Sequence, residues 1–275
     1  MNIYDNMIIA PFFYIFSLIF LPLSKPKSKA PKVLPQAIVT QVIVPVKPVN
    51  PNTKYIYLTF DDGPLFGTSN CIDICLQEEV QASFFQVGMH MARSKLGKDL
   101  YNRILQHPDV FEILNHSYTH ANGKYLNFYH HPDAALLDFI KAHNSLKLTN
   151  NLVRLPGNNA WNTLNHKRTS SLVKPVVLKL DSAGYNVMGW DIEWDFNKQG
   201  KPSESGEKMA RIIDSSIARN RTLTKNHMVI LMHDQMYRTA SDSTKLATMI
   251  GLLKKNPNYE FRKISQYPGL KNSGH

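Results

Sequence analysis

The chain has 275 residues, 43% of them hydrophobic and 19% charged. That suits one large domain or two small ones and excludes a disordered protein. The net charge is +11, but its Lys and Arg residues are scattered, with no dense basic helix and no basic-aromatic module, which sets nucleic acid aside and points to an anionic setting such as a cell envelope.

The first element is "MIIAPFFYIFSLIFLPL" at 7–23, uncharged and apolar. Its length lies between a signal-peptide core and a spanning helix. Asp5 is the only charge before it, whereas Lys25, Lys27, Lys29 and Lys32 follow. Those lysines favour a cytoplasmic C-terminal side, while Ser28-Lys29-Ala30 offers a late cleavage site. The expectation is a signal peptide or membrane anchor over 1–23 and an exported protein, periplasmic, in the cell envelope or membrane-anchored. Residues 24–53, rich in Pro, Lys and Val, read as a semi-rigid linker. Within them "AIVTQVIVPV" is a candidate edge strand, limited by Pro45.

From Lys54 strands and helices alternate. "YIYLTF" predicts a strand and "TSNCIDICLQEEV" a helix. "ASFFQVG" predicts a second strand, followed by a helix over 91–106. "VFEILNH" is a strand, then a helix spans 132–148. "LVRLP" is a short strand, and a helical stretch at 170–183 is interrupted by Pro175. "NVMGWDIEW" is read as one strand, followed by a helix at 204–219. "MVILMH" is a strand, then a helix spans 241–254, and "EFRKI" closes the series. This order predicts an α/β fold with a parallel sheet, and about seven units favour a distorted (β/α) barrel over an open sheet. Cys71 and Cys75, the only cysteines, read as buried core thiols.

The polar residues keep the same rhythm. Asp61 and Asp62 end the first strand, His116 the third and His233 the sixth, with Arg154 in the fourth and Asp191, Glu193 and Asp195 near the end of the fifth. Barrel sites are built at C-terminal strand ends, so these groups are expected on one rim. "DDGP" at 61–64 also fits a plain turn. The alternative is a division of labour, one carboxylate binding a metal and the other taking a proton. His116 and His120 stand four apart, a spacing that puts them on one face if the segment is helical. With one carboxylate they form a set that leaves positions open for water and substrate.

Five segments in order, "TFDDGP", "HSYTH", "RLPG", "WDIEWDF" and "LMHD", are similar to the motifs of the polysaccharide deacetylase family (carbohydrate esterase family 4), over about 54–268. The resemblance implies a single catalytic domain that removes acetyl groups from an N-acetylated cell-envelope polysaccharide, either peptidoglycan or chitin-like amino sugars. It implies that Asp62, His116 and His120 hold one divalent metal, zinc first and cobalt or another ion as alternatives. It further implies Asp61 as general base, His233 as general acid, Arg154 as the residue that orients and tunes Asp61, and the Gly157 amide as an oxyanion donor. Asp195 is taken as the acid that steadies His233, with Asp191 and Glu193 as alternatives, because in a strand all three share a face. Trp161, Trp190 and Trp194 are candidate sugar-stacking surfaces. The third motif departs from the family in having Gly157 where an aromatic is usual, and the fourth has Phe196 in a Trp position. The expected partner is the polysaccharide, reached by a monomer with membrane contact through its N-terminal segment. A related amidase on a small amide or formylated sugar lipid, and a non-catalytic carbohydrate-binding protein, are the competing readings.

Overall fold

The computed structural model describes residues 50–271. The segment at 1–23, the linker as far as residue 49 and the candidate edge strand at 37–46 lie outside the described residues. No helix among the described residues is long and apolar enough to cross a membrane.

The strands are β1 (Lys54–Asp61), β2 (Ala82–Gln86), β3 (Phe111–Asn115), β4 (Leu152–Val153), β5 (Trp161–Asn162), β6 (Lys167–Arg168), β7 (Asn186–Val187), β8 (Ile192–Glu193), β9 (His227–His233) and β10 (Tyr259–Phe261). The helices are α1 (Phe66–Gln77), α2 (Gly88–Arg93), α3 (Lys95–Leu105), α4 (Tyr125–His130), α5 (Pro132–Ser145), α6 (Lys174–Ser182), α7 (Gly206–Ala218) and α8 (Ala240–Leu253). The strands form one curled sheet in the order β6-β5-β7-β4-β3-β2-β1-β9-β8. Every ladder is parallel except those made by β5. This is a distorted (β/α) barrel. Its strand β1 carries β9 along one edge, while β10 and β2 share the other.

The expected single strand "NVMGWDIEW" is two strands. Strand β7 pairs with β4, whereas β8 pairs with β9 across the barrel, and only residues 188–191 separate them. The chain itself crosses the seam that a closed barrel would seal with a ladder. A bend at Asp191 lies between the two strands. Pro175 does not interrupt a helix either. It stands in the first turn of α6, where its missing N–H costs nothing. The helix expected over 91–106 is divided at Ser94, whose extended backbone ends α2 and whose hydroxyl accepts the Gly97 amide to start α3.

Strand parity sorts the side chains into two layers. Ile56, Leu58 and Phe60 of β1, with Met228, Ile230 and Met232 of β9, face the outer helices and join one core with Cys71, Cys75 and Leu246. Tyr57 of β1 and Val229 of β9 face inward and pack with Phe85, Leu114, Leu152, Trp161 and Met188. The same parity carries Thr59, Asp61, Leu231 and His233 inward. Because Asp61 and His233 are register partners, the two side chains reach the barrel mouth at the same height. Below them the interior is filled by aromatic packing. The Tyr57 hydroxyl lies 2.7 Å from His227 Nδ1, and burial pushes that imidazole down to about 4, so the phenol donates to a neutral ring.

Candidate active site

Arg154 follows β4 and is fully buried inside the barrel. Its Nη1 donates to Asp61 Oδ1 at 2.8 Å and to Thr59 Oγ1 at 2.7 Å. Nη2 donates to the Gly189 carbonyl at 2.9 Å and Nε to the Met188 carbonyl at 3.2 Å. One guanidinium therefore ties the end of β1 to the segment that crosses the seam. Burial works against its charge, and the Asp61 carboxylate opposes that effect. The face of the guanidinium is covered by Phe85, whose ring centre is 4.1 Å away. Arg is the residue for this place, because its planar fork can meet four acceptors in fixed directions.

Asp62 should point away from Asp61 if the strand continued, since successive side chains alternate. It does not, because Asp62 has φ +74°. This left-handed residue ends the strand and turns the second carboxylate toward the same rim. Strain of this kind costs on the order of 1 kcal/mol or more in a non-glycine residue, so neighbours must fix it. His90 Nδ1 lies 2.7 Å from the Asp62 carbonyl and, since a carbonyl can only accept, donates to it.

His116 follows β3, and the loop to His120 is not helical as the spacing suggested. Ser117 has φ +67°, and His120, Ala121 and Asn122 lie between +49° and +55°. The two imidazoles meet because the chain folds back on itself. Asp138 on α5 fixes this loop by accepting the amides of Tyr118 and Thr119 at 2.8 and 3.1 Å. The Ser117 hydroxyl accepts the His120 amide at 3.0 Å. Asp138 carried no sequence signal, since no motif or periodicity connects it to "HSYTH".

Residues 155–158 form a tight turn, with the Asn158 amide reaching the Leu155 carbonyl at 3.4 Å. Pro156 and then Gly157 with φ +63° are the residues that a type II turn requires at its two central positions. The hydroxyl of buried Tyr129, on α4, donates to the Pro156 carbonyl at 2.6 Å. In a trans peptide the carbonyl and the next N–H point in opposite directions. Holding the Pro156 oxygen on the buried side therefore turns the Gly157 N–H the other way, where Gly157 lines the cavity. That N–H makes no hydrogen bond among the described residues.

The cavity holds about 200 Å³ and is lined by Asp61, Asp62, His116, His120, Gly157 and His233, with Tyr125, Trp190, Glu193 and Phe196 among its other walls. His233 Nδ1 is buried without a hydrogen bond, and the Phe196 ring meets the imidazole edge-on with centres 5.1 Å apart. Asp195 is not at this site. Strand β8 stops at Glu193, so the shared face ends there and Asp195 lies exposed beyond the rim. Glu193 is the acid that faces the cavity, and burial raises its pKa while His233 acts the other way. Asp191 sits lower and accepts the Leu223 and Val229 amides at 2.7 and 2.8 Å. Burial lifts it to about 6. Trp161 and Trp194 are fully buried and belong to the inner and outer cores, so neither presents a stacking surface. Trp190 and Phe196 do. Asp234, beside His233, is buried and bonded to the Thr68 hydroxyl.

Asp62, His116 and His120 each offer a ligand atom, all within 4.8 Å of one another. Asp62 Oδ1 is 3.0 Å from His120 Nε2 and 3.4 Å from His116 Nε2, close to the roughly 3.3 Å between donors bound about 2 Å from one tetrahedral ion. That oxygen is buried without a well-aligned hydrogen bond. His116 Nδ1 lies 3.0 Å from the Arg154 carbonyl and must donate to it, which leaves the Nε2 lone pair free for a metal. Burial disfavours charge on Asp62, but the two imidazoles outweigh it and hold its pKa well below the usual carboxylate range. The donor set fits a divalent ion with one carboxylate and two imidazoles.

Residues 49–144 match the family described as Polysaccharide deacetylase. The peptidoglycan-N-acetylglucosamine deacetylase of Bacillus cereus is 27% identical over 225 residues, covering 78% of this chain and 72% of that protein. The chitooligosaccharide deacetylase of a Bradyrhizobium strain is 37% identical over 71 residues, 26% of this chain and 30% of that one. Among solved structures, the catalytic domain of a peptidoglycan N-acetylglucosamine deacetylase from Eubacterium rectale aligns with TM-score 0.58 and 23% identity, over 82% of this chain and 95% of that one. A Streptococcus mutans CE4 esterase aligns with TM-score 0.59 and 23% identity, over 77% of this chain and 86% of that one. Over residues 49–144 the chain matches the polysaccharide deacetylase family, and these relatives support that family for it.

Without the Tyr129 hydroxyl the Pro156 carbonyl keeps only the longer Asn158 Nδ2 contact at 3.3 Å, so the Pro156–Gly157 peptide is held less firmly. Tyr129→Phe is expected to lower kcat for amide hydrolysis at least about tenfold, short of the 10²- to 10³-fold typical of deleting an oxyanion donor. KM and metal content should stay at wild-type values. An unchanged kcat in a folded variant would show that the turn holds the peptide unaided.

Proposed function

We propose that this protein is a metal-dependent hydrolase that removes acetyl groups from an N-acetylated cell-envelope glycan, with peptidoglycan and chitin-like amino sugars as the substrate class. The observation that carries the reading is the convergence of Asp61, Asp62, His116, His120 and His233 on one small cavity. The names of the relatives, all acetyl-removing enzymes of amino-sugar polymers or oligomers in the cases cited, support the substrate class.

In this reading Asp62, His116 and His120 hold the ion. Bound there, a divalent metal polarises a carbonyl and brings the pKa of bound water toward about 7; zinc suits two imidazoles and a carboxylate, and cobalt is the alternative. Asp61 has Oδ1 committed to Arg154, which fixes the carboxylate plane and leaves Oδ2 to accept the proton of the attacking water. As the water oxygen bonds to the acetyl carbon, the Gly157 N–H faces the oxygen on which charge develops. A fixed donor of this kind is worth about 3 kcal/mol of barrier. The C–N bond then breaks, acetate forms, and the amine leaves with a proton from His233. Glu193, on the neighbouring strand β8, is the acid placed to serve His233.

The adjacent carboxylates should fail differently. Asp62→Asn is expected to hold far less than one ion per chain. Asp61→Asn should keep its ion while acetate release falls by roughly 10²- to 10⁴-fold, the usual range for a lost general base. Metal analysis and acetate release from peptidoglycan and chitin oligomers, on chelated and zinc- or cobalt-reloaded protein, check both. No acetate from any polymer by the reloaded wild type would end the reading, and an empty site in Asp61→Asn with a full one in Asp62→Asn would exchange the two roles.

We also place the catalytic domain outside the cytoplasm, on the strength of the apolar stretch at 7–23. A C-terminal reporter that functions only after export should be active. Activity of a cytoplasm-restricted reporter instead would mean that the lysines after the stretch decide its orientation.

A further inference from the structure

Gly157 and Tyr125 are matched to each other. A Cβ on Gly157 would lie 3.3 Å from Tyr125 Cε1 and 3.4 Å from Cζ, so the tyrosine ring occupies the ground that a side chain at 157 would need. The same ring meets His120 edge-on, with centres 5.7 Å apart and planes at 87°. Tyr125 thus touches both the turn that offers the Gly157 N–H and one of the metal-ligating imidazoles, and it lines the cavity. Its hydroxyl makes no hydrogen bond among the described residues, so no polar tie accounts for the position. The backbone accounts for it. Ala121, Asn122 and Gly123 are consecutive left-handed residues that reverse the chain just before α4, and strain of this kind persists only where surrounding structure over-determines it.

We propose that Tyr125 is a specificity-determining residue whose ring is the wall that limits the acyl group the cavity accepts. The inference rests on the deacetylase reading above. An acyl carbonyl lying between the Gly157 N–H and the Asp62, His116 and His120 cluster has Tyr125 beside it, because the ring bridges those two features. Of the other apolar walls, Leu155 and Leu231 are buried in the barrel, Trp190 lies on the crossing segment, and Phe196 stands against His233. An additional methylene on an acyl chain directed at Tyr125 would meet its ring. Discrimination by one methylene in such a pocket is typically about 10- to 200-fold.

The test compares wild type, Tyr125→Phe, Tyr125→Leu and Tyr125→Ala on glucosamine tetramers carrying N-acetyl or N-propionyl groups. Wild type and Tyr125→Phe should prefer acetyl to the same degree. Tyr125→Ala should raise the propionyl-to-acetyl ratio of kcat/KM by about tenfold or more, with Tyr125→Leu in between, and metal content should match wild type in all three variants. The same shift should appear in calorimetric binding of the two tetramers to metal-stripped protein, which needs no turnover. An unchanged ratio in both Tyr125→Leu and Tyr125→Ala overturns the inference, and loss of the ion with that unchanged ratio makes Tyr125 a support for His120 instead. A wild type that binds the tetramers with the expected variant-dependent shift but releases no acid would overturn the hydrolase reading and leave the wall in place.

Discussion

The site depends on one buried ion pair. Arg154 and Asp61 are both withdrawn from solvent, and such a pair is favourable only when its remaining donors and acceptors are satisfied. Here Thr59, Met188 and Gly189 accept three of the four other guanidinium hydrogens, and the second Asp61 oxygen opens onto the cavity. The consequence is structural and chemical at once. Among the described residues no ladder joins β8 to the β6-β5-β7 end of the sheet, and the guanidinium grips the segment that crosses from β7 to β8. The same group immobilises one oxygen of Asp61. The backbone carbonyl of Arg154 then sets the tautomer of His116, so a single residue orients a member of each half of the site.

The adjacency of Asp61 and Asp62 is useful because the two carboxylates have different surroundings. Asp61 is locked to a permanent cation in the barrel interior. Asp62, turned by its positive φ, faces the two imidazoles of the candidate metal cluster. An ordinary strand would have sent the second carboxylate into the outer core beside Phe60. The left-handed turn, held by His90, replaces that burial penalty with a shared rim, and the strain at Asp62 is offset by its contacts rather than by a glycine.

Much of this was legible in the sequence because strand parity and strand ends are local properties. The pattern of "YIYLTFDD" and "MVILMH" fixes which side chains enter the barrel, and so predicts that Asp61 and His233 meet. Four other features were not legible, each for a physical reason. Asp191, Glu193 and Asp195 share parity, and only the point where β8 ends distinguishes them. Trp161 and Trp194 look like binding aromatics, yet the sheet buries both. The backbone of 117–123 leaves the helical region at non-glycine residues, which no propensity foretells. Tyr125, Tyr129 and Asp138 act through contacts made by tertiary packing of α4 and α5, without any motif of their own.

The central claim is the coupling between Arg154 and Asp61, and a double-mutant cycle measures it directly. Denaturant unfolding of Arg154→Met, Asp61→Asn and the double variant, against wild type, gives the interaction energy. Breaking a buried pair from one side typically costs about 3–5 kcal/mol, whereas replacing both charges is often close to neutral. The double variant is therefore expected to be at least about 2 kcal/mol more stable than the sum of the single losses implies. Single effects that add to within about 0.5 kcal/mol would contradict the account, because they would mean that the two groups hold the site independently.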